Sequence, residues 1–130
     1  MTDTASPLSP FELLGGRDGI ARIVDRFYDL MDSEPAFAAL RAMHAADLAP
    51  MRASLAGFLV GWSGGPRTWF DDNPGKCMMS LHGGLAIRTS TADQWCAAMA
   101  RALEGAGVDP SLVERLNEAF ERMAGAMARH

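Results

Sequence analysis

The three histidines of this chain are the residues most able to bind a metal, and they are widely separated. His44, His82 and His130 share no HExxH pattern, and no cysteine pair accompanies them. Zinc and non-haem iron require several protein ligands in characteristic spacing, so a site of that kind is not expected. An iron porphyrin requires as little as one, commonly a histidine, because the macrocycle supplies four nitrogens. One histidine beside an apolar, aromatic-lined slot would be sufficient.

His82 is the best placed of the three for such a bond. It ends a predicted short helix over residues 76–82 and is followed by Gly83 and Gly84. Glycines let the backbone pass close to a flat ligand. Local spacing favours the alternative, in which the imidazole contacts free carbonyl groups at the helix C-terminus. The residues alone therefore leave the role of His82 open.

A few other side chains could act on a ligand. Tyr28 is the single tyrosine, and a buried phenol usually finds a hydrogen-bond partner. Trp95 offers one indole N–H donor. Each also has an ordinary interpretation: core packing for Tyr28 and Trp95, a solvated loop position for His44. Phe58 and Leu59 are interpreted as core.

The elements that must position these residues are helices. Apolar residues recur at helical spacing along most of the chain, and no segment alternates as a strand would. We predict an all-α protein with four substantial helices and two or three short ones. The apolar stripes of the four long helices run through residues 20–31, 48–62, 95–103 and 112–127; the short helices are predicted at 11–14, 34–43 and 76–82.

Capping residues and helix breakers suggest where the helices begin and end. Ser33 is predicted to cap the helix that reaches Met43, and Asp47 the next one. Gly64-Gly65-Pro66 should end that helix, leaving residues 66–76 irregular. The sequence Ser90-Thr91-Ala92-Asp93 has the spacing of a capping box.

Composition limits the class of protein. The 130 residues favour one domain, predicted over 11–130 after a loose arm at 1–10. With a net charge of −4 and scattered basic residues, neither nucleic acid nor an anionic membrane is an expected partner. No signal peptide or membrane-length apolar stretch appears. Cys77 and Cys96 are interpreted as reduced thiols, which predicts a cytoplasmic protein.

The order of these landmarks resembles that of group II truncated haemoglobins. The similarity rests on Phe27-Tyr28-Asp29-Leu30-Met31, Leu40-Arg41-Ala42-Met43-His44, Gly64-Gly65-Pro66, His82 and Trp95, and it covers roughly residues 11–106. The resemblance implies a truncated globin fold, a two-over-two helical sandwich around haem b. By the same resemblance His82 looks like the proximal iron ligand.

The resemblance also implies roles for residues around the haem. Tyr28 and Trp95 match the distal hydrogen-bond donors, and His44 falls where the family faces the ligand. In the ferric state His44 or Tyr28 would be candidates for the sixth iron ligand. The other expected haem contacts are Met51 and Leu55 above the ring, with Phe58, Leu59, Arg67, Trp69, Lys76, Met79 and Ile87 around it.

The chain departs from the family before the proximal histidine. The usual arginine-rich run is replaced by residues 73–81, which include the apolar Met79 and Leu81. Lys76, Arg67 or the Trp69 indole would then have to anchor the haem propionates. We expect haem affinity below that of arginine-bearing relatives.

The resemblance implies reversible binding of O2, NO, CO or similar small ligands, hence oxygen binding or transport. An alternative is a haem enzyme, either a nitric-oxide dioxygenase or peroxidase-like. Because no glycine-rich dinucleotide fingerprint is present, its reductase would be a separate protein. A further alternative is a helical interaction module without haem. A monomer and a homodimer are both compatible with the sequence.

Overall fold

The computed structural model describes residues 9–44, 46–73 and 89–127, which are helical with no strand in those ranges. This confirms the all-α prediction. The elements are α1 (Pro10–Leu13), α2 (Gly16–Ser33), a 3-10 turn (Pro35–Phe37), α3 (Ala38–Ala42), α4 (Ala49–Trp62), α5 (Thr68–Asp72), α6 (Thr89–Gly105) and α7 (Pro110–Met127).

The four long helices pack in pairs around one apolar core. Helix α2 packs against both α4 and α6, and α6 packs against α7. The α2 stripe is buried as predicted, and Ile20, Val24 and Phe27 are at most 1% exposed. Each large apolar side chain buried in this way contributes roughly 1.5–3 kcal/mol relative to solvent exposure. The core therefore fixes how α2, α4 and α6 face one another.

Helix α4 begins and ends close to the predicted signals. The Asp47 carboxylate accepts a hydrogen bond from the Ala49 N–H at 3.0 Å, although the N-cap position itself is Leu48. At the other end the helix stops at Trp62, and Gly64 follows with a φ of +110°. Only glycine adopts that backbone readily, so the predicted stop is confirmed.

The structure corrects two predicted N-caps. Ser33 is the last residue of α2, and its hydroxyl group donates to the Asp29 carbonyl at 2.8 Å instead of capping the next helix. Ser90 and Thr91 lie inside α6, whose described part starts at Thr89. The error at Ser33 has a physical cause: a serine hydroxyl group can bond to its own helix as well as cap a new one.

Helix α1 spans Pro10–Leu13, one residue earlier at each end than the short helix predicted at 11–14, with Ser9 and Glu12 forming a reciprocal capping box. Helix α5 occupies Thr68–Asp72 within the segment predicted to be irregular. The helix predicted at 76–82 lies outside the described residues. Among the described helices none is long and apolar enough to cross a membrane.

A methyl group at Gly61 is expected to loosen the contact between α4 and α5. A Cβ atom there would lie 2.6 Å from two ring carbons of Phe70, so the ring must move. We expect Gly61→Ala to lower the free energy of unfolding by about 1–2 kcal/mol in urea denaturation. Gly125→Ala in α7 is the control, because nothing lies within 4 Å of its added carbon. Equal losses in the two variants would contradict this prediction.

Candidate functional site

Tyr28 lies on α2 and belongs to the apolar core. Its side chain is only 5% exposed, yet within the described part of the chain the hydroxyl group makes no hydrogen bond. Burial raises the pKa of Tyr28 to about 12, although the nearby Arg52 charge opposes the rise. The phenol therefore stays neutral at physiological pH and keeps its proton to donate.

His44 borders the Tyr28 ring from the turn that follows α3. The two ring centroids are 6.0 Å apart and the rings meet edge to face. Its Nδ1 lies 2.9 Å from the Leu40 carbonyl oxygen, so Nδ1 carries the hydrogen and donates it. In the neutral ring this assigns the lone pair to Nε2. A local backbone contact thus selects the tautomer of His44.

Trp95 reaches the same region from the first half of α6. Its ring is partly buried and meets Phe27 edge-on at 5.2 Å, while Phe27 in turn meets Tyr28 at 4.9 Å. Like the Tyr28 hydroxyl group, the Trp95 indole N–H has no hydrogen-bond partner in the described ranges. Helices α2 and α6 thus bring these two donor side chains to either side of one buried phenylalanine.

Helix α4 supplies apolar residues, but they do not all face the same way. Met51 and Leu55 are one turn apart, and both pack into the main core. Phe58 turns towards α5, where its ring lies 5.5 Å from that of Trp69. Leu59 instead lines a small apolar cavity together with residues such as Phe120. The sequence places Phe58 and Leu59 in one group, and the structure separates them.

The two described groups predicted to anchor propionates already have partners. The Trp69 indole N–H donates to the Ser54 hydroxyl oxygen at 3.3 Å. The Arg67 guanidinium carbon lies 4.4 Å from the centroid of the Phe70 ring, a cation–π contact. Arg67 is exposed, so its charged head still faces solvent. Either group would have to leave or share a partner to bind a carboxylate.

Several residues that the sequence analysis singled out lie outside the described residues, among them Lys76, Cys77, Met79, His82, Ile87 and His130. The other cysteine, Cys96, is free and partly buried. Burial, reinforced by Glu121 and Asp93, raises the pKa of its thiol to about 11. The thiol is therefore protonated and weakly reactive at neutral pH.

Two residues at the site were missed by the sequence analysis. Arg52 of α4 pairs with Asp25 at 3.1 Å and Asp29 at 2.9 Å, and its guanidinium carbon lies 5.6 Å from the Tyr28 ring centroid. The Gln94 side-chain oxygen accepts from the Leu40 N–H at 3.1 Å and so ties α3 to α6. Both contacts join residues that are far apart in the sequence, so no local sequence pattern predicts them.

The described residues offer a site for a small, partly negative ligand. The Tyr28 hydroxyl group and the Trp95 indole N–H are neutral donors without a hydrogen-bond partner among the described residues, and both side chains belong to the same apolar core cluster as residues of α4. No group of three histidine, cysteine or acidic side chains in the described ranges could hold a metal ion. The arrangement is suited to hydrogen bonding a ligand that something else holds in place.

Comparisons with known proteins agree with this geometry. The chain matches a family model described as bacterial-like globin over residues 9–129. The cold-adapted truncated haemoglobin of the Antarctic bacterium Pseudoalteromonas haloplanktis TAC125 is 31% identical with a TM-score of 0.90, covering 95% of this chain and 99% of that one. The group II 2-on-2 haemoglobin of Agrobacterium tumefaciens is 28% identical with a TM-score of 0.90, covering 98% of each chain.

The haemoglobin of Chloroflexus aurantiacus is 29% identical with a TM-score of 0.84, covering 95% of this chain and all (100%) of that one. No curated protein sequence matches the chain. The family model spans nearly the whole sequence, and the solved structures share its helical order. The chain therefore belongs to the bacterial-like globin family of haem-binding proteins and has the truncated fold of the group II haemoglobins that it resembles.

Proposed function

We propose that this chain binds O2 and similar diatomic ligands at a haem b iron held by His82. The observation that carries the proposal is the placement of Tyr28 and Trp95 on either side of the buried Phe27 ring, with no hydrogen bond from either donor to another described residue. A bound ligand would supply a hydrogen-bond acceptor for the Tyr28 hydroxyl group. Because burial also keeps Tyr28 neutral, the group is a hydrogen-bond donor throughout the physiological pH range.

The residues around Tyr28 fit a haem with a polar distal side. Bound O2 carries partial negative charge, and donors placed to meet that charge stabilise it. Tyr28 and Trp95 would both donate, and His44 would border the ligand from the turn after α3. Met51, Leu55 and Phe58 would pack against the porphyrin. Haem, when bound, supplies the iron that takes the diatomic ligand.

The haem propionates are the part of the cofactor that the described residues fit least well. The resemblance leaves Lys76, Arg67 and Trp69 for the propionates, and in the structure Trp69 and Arg67 are engaged with Ser54 and Phe70. These existing contacts support our expectation of a haem affinity below that of arginine-bearing relatives. Titration of the haem-free protein with haemin, followed by the Soret band, measures the affinity.

The proposal is tested by the absorption spectrum of the purified protein and of a His82→Gly variant. The wild-type protein should show a Soret band that shifts on reduction and again on addition of CO. His82→Gly should bind haemin more weakly, and added imidazole should restore binding by replacing the lost side chain. His130→Gly is the matched control and should behave as wild type.

Other results would reject the proposal. A protein that stays colourless and gains no Soret band with haemin would contradict haem binding and favour the alternative of a helical interaction module. Unchanged haem binding in His82→Gly would remove the proximal role from this residue. Both outcomes are read from spectra without any assumption about the physiological reaction.

The Tyr28 and Trp95 donors also suit conversion of nitric oxide and O2 to nitrate. That reaction needs one electron per turn, which we assign to a separate reductase. Nitric-oxide decay matched by nitrate formation, in the presence of a reducing system, would establish turnover. Decay without nitrate would leave ligand binding as the function.

A further inference from the structure

Arg52 forms a bridge between α4 and α2 directly over Tyr28. One guanidinium nitrogen donates to the Asp25 carboxylate at 3.1 Å and to the Asp25 carbonyl oxygen at 3.2 Å. The other donates to the Asp29 carboxylate at 2.9 Å. We call this three-residue arrangement the Arg52 clasp. Asp25 and Asp29 are four residues apart and so share the face of α2 that α4 meets.

The clasp helps to enclose the Tyr28 ring. The guanidinium carbon lies 5.6 Å from the ring centroid, a cation–π contact. Phe27 meets the same ring at 4.9 Å and His44 at 6.0 Å, both close to perpendicular. The ring therefore has neighbours from α2, from α4 and from the turn after α3. Of these, Arg52 is the one that also ties two helices together.

The geometry of the Arg52 clasp is better suited to positioning the Tyr28 ring than to stabilising the fold. Asp25 and Asp29 have side chains 60% and 71% exposed, and ion pairs with exposed partners add little stability. Arginine can meet both carboxylates at once because its donors form a rigid fork, which lysine lacks. The Arg52 side chain, at 28% exposure, is partly withdrawn from water and so is held in one place.

We propose that Arg52 is a positioning residue for Tyr28, holding the phenol ring so that its hydroxyl group points at the bound ligand. The inference rests on the proposed function, in which Tyr28 donates to that ligand. The positive charge of Arg52 also works against the burial that raises the Tyr28 pKa. The phenol is therefore a stronger donor than burial alone would leave it.

The C–O stretching frequency of the ferrous CO complex tests this role. A hydrogen-bond donor near the CO oxygen lowers that frequency, so Tyr28→Phe should raise it. Arg52→Gln should raise it to a value between wild type and Tyr28→Phe, because the hydroxyl group remains but its direction is no longer fixed. Arg52→Lys should give a smaller shift. Asp29→Asn, which removes one partner of the clasp, should shift the band in the same direction.

Arg101→Gln is the matched control for this experiment. Arg101 also pairs with a carboxylate, Glu34 at 2.7 Å, and also lies over an aromatic ring, Phe37 at 5.7 Å. These two contacts of Arg101 involve neither Tyr28 nor α4. Arg101→Gln should lower the melting temperature about as much as Arg52→Gln does. It should leave the C–O stretching frequency unchanged.

The double variant Tyr28→Phe/Arg52→Gln separates positioning from a direct effect. Without the hydroxyl group, loss of Arg52 should not move the CO band further. An additive shift would mean that Arg52 acts on the ligand itself and would overturn the positioning role. A band unmoved in Arg52→Gln and Asp29→Asn but moved in Tyr28→Phe would overturn this inference alone. A band unmoved in Tyr28→Phe would overturn Tyr28 as donor and this inference with it.

Discussion

Tyr28→Phe should release O2 about 2- to 12-fold faster than the wild-type protein. The variant keeps the buried ring and its contact with Phe27 and removes only the donor. One net hydrogen bond contributes roughly 0.5–1.5 kcal/mol, which sets the range. Stopped-flow displacement of O2 from the ferrous protein measures the rate. Because burial holds the pKa of Tyr28 at about 12, the acceleration should be the same from pH 6 to pH 9.

Trp95→Phe extends the same test to the second donor. The indole N–H is unpaired in the described part of the chain, so its loss should give a similar acceleration. Removing both donors should speed release by roughly 5- to 150-fold. Trp62→Phe is the control, because that indole stacks on Phe120 at 5.2 Å instead of meeting Phe27. Equal release rates in wild type, Tyr28→Phe and Trp95→Phe would contradict the hydrogen-bond account.

Phe27→Ala should lower the free energy of unfolding by about 3–5 kcal/mol. The side chain is 0% exposed and separates the Tyr28 and Trp95 rings. Its removal leaves a cavity that rigid neighbours fill only in part. Urea denaturation followed by circular dichroism measures the loss.

Two further variants serve as references for the loss of unfolding free energy in Phe27→Ala. Phe27→Leu keeps most of the volume and should cost less than about 1.5 kcal/mol. Leu13→Ala is the surface control, because Leu13 is 46% exposed and its loss should change stability by less than about 0.5 kcal/mol. A loss below about 1.5 kcal/mol in Phe27→Ala would show that the site collapses freely around the missing ring.

The helices follow from local sequence because their cause is local. The spacing of Ile20, Val24, Phe27 and Met31 puts these residues on one side of any helix they form, and burying that side stabilises the helix. Local chemistry also explains the error at one helix end. Ser33 has a hydroxyl group able to cap or to bond backwards, and which occurs depends on the turn that follows.

The residue types at the site were also accessible from the sequence. A single tyrosine on an apolar stripe and a tryptophan at the start of another stripe are visible without a structure. Their order along the chain carried the resemblance that named His82 as the iron ligand. His82 lies outside the described residues, so its role stays a prediction.

Only the tertiary structure decided how these residues combine. Adjacent positions on α4 diverge, so Phe58 faces α5 while Leu59 faces the cavity near Phe120. Arg52 is held over Tyr28 by Asp25 and Asp29, which precede it in the sequence by 27 and 23 residues.

The histidines show the same division between sequence and structure. Their spacing in the sequence made a multi-ligand metal site unexpected, and the resemblance to group II truncated haemoglobins predicted His82 as a haem ligand. Packing decided that His44 lies edge-on to Tyr28, with its tautomer set by the Leu40 carbonyl. Periodicity fixes which side of a helix a residue occupies, whereas the approach of a second helix fixes what that residue meets.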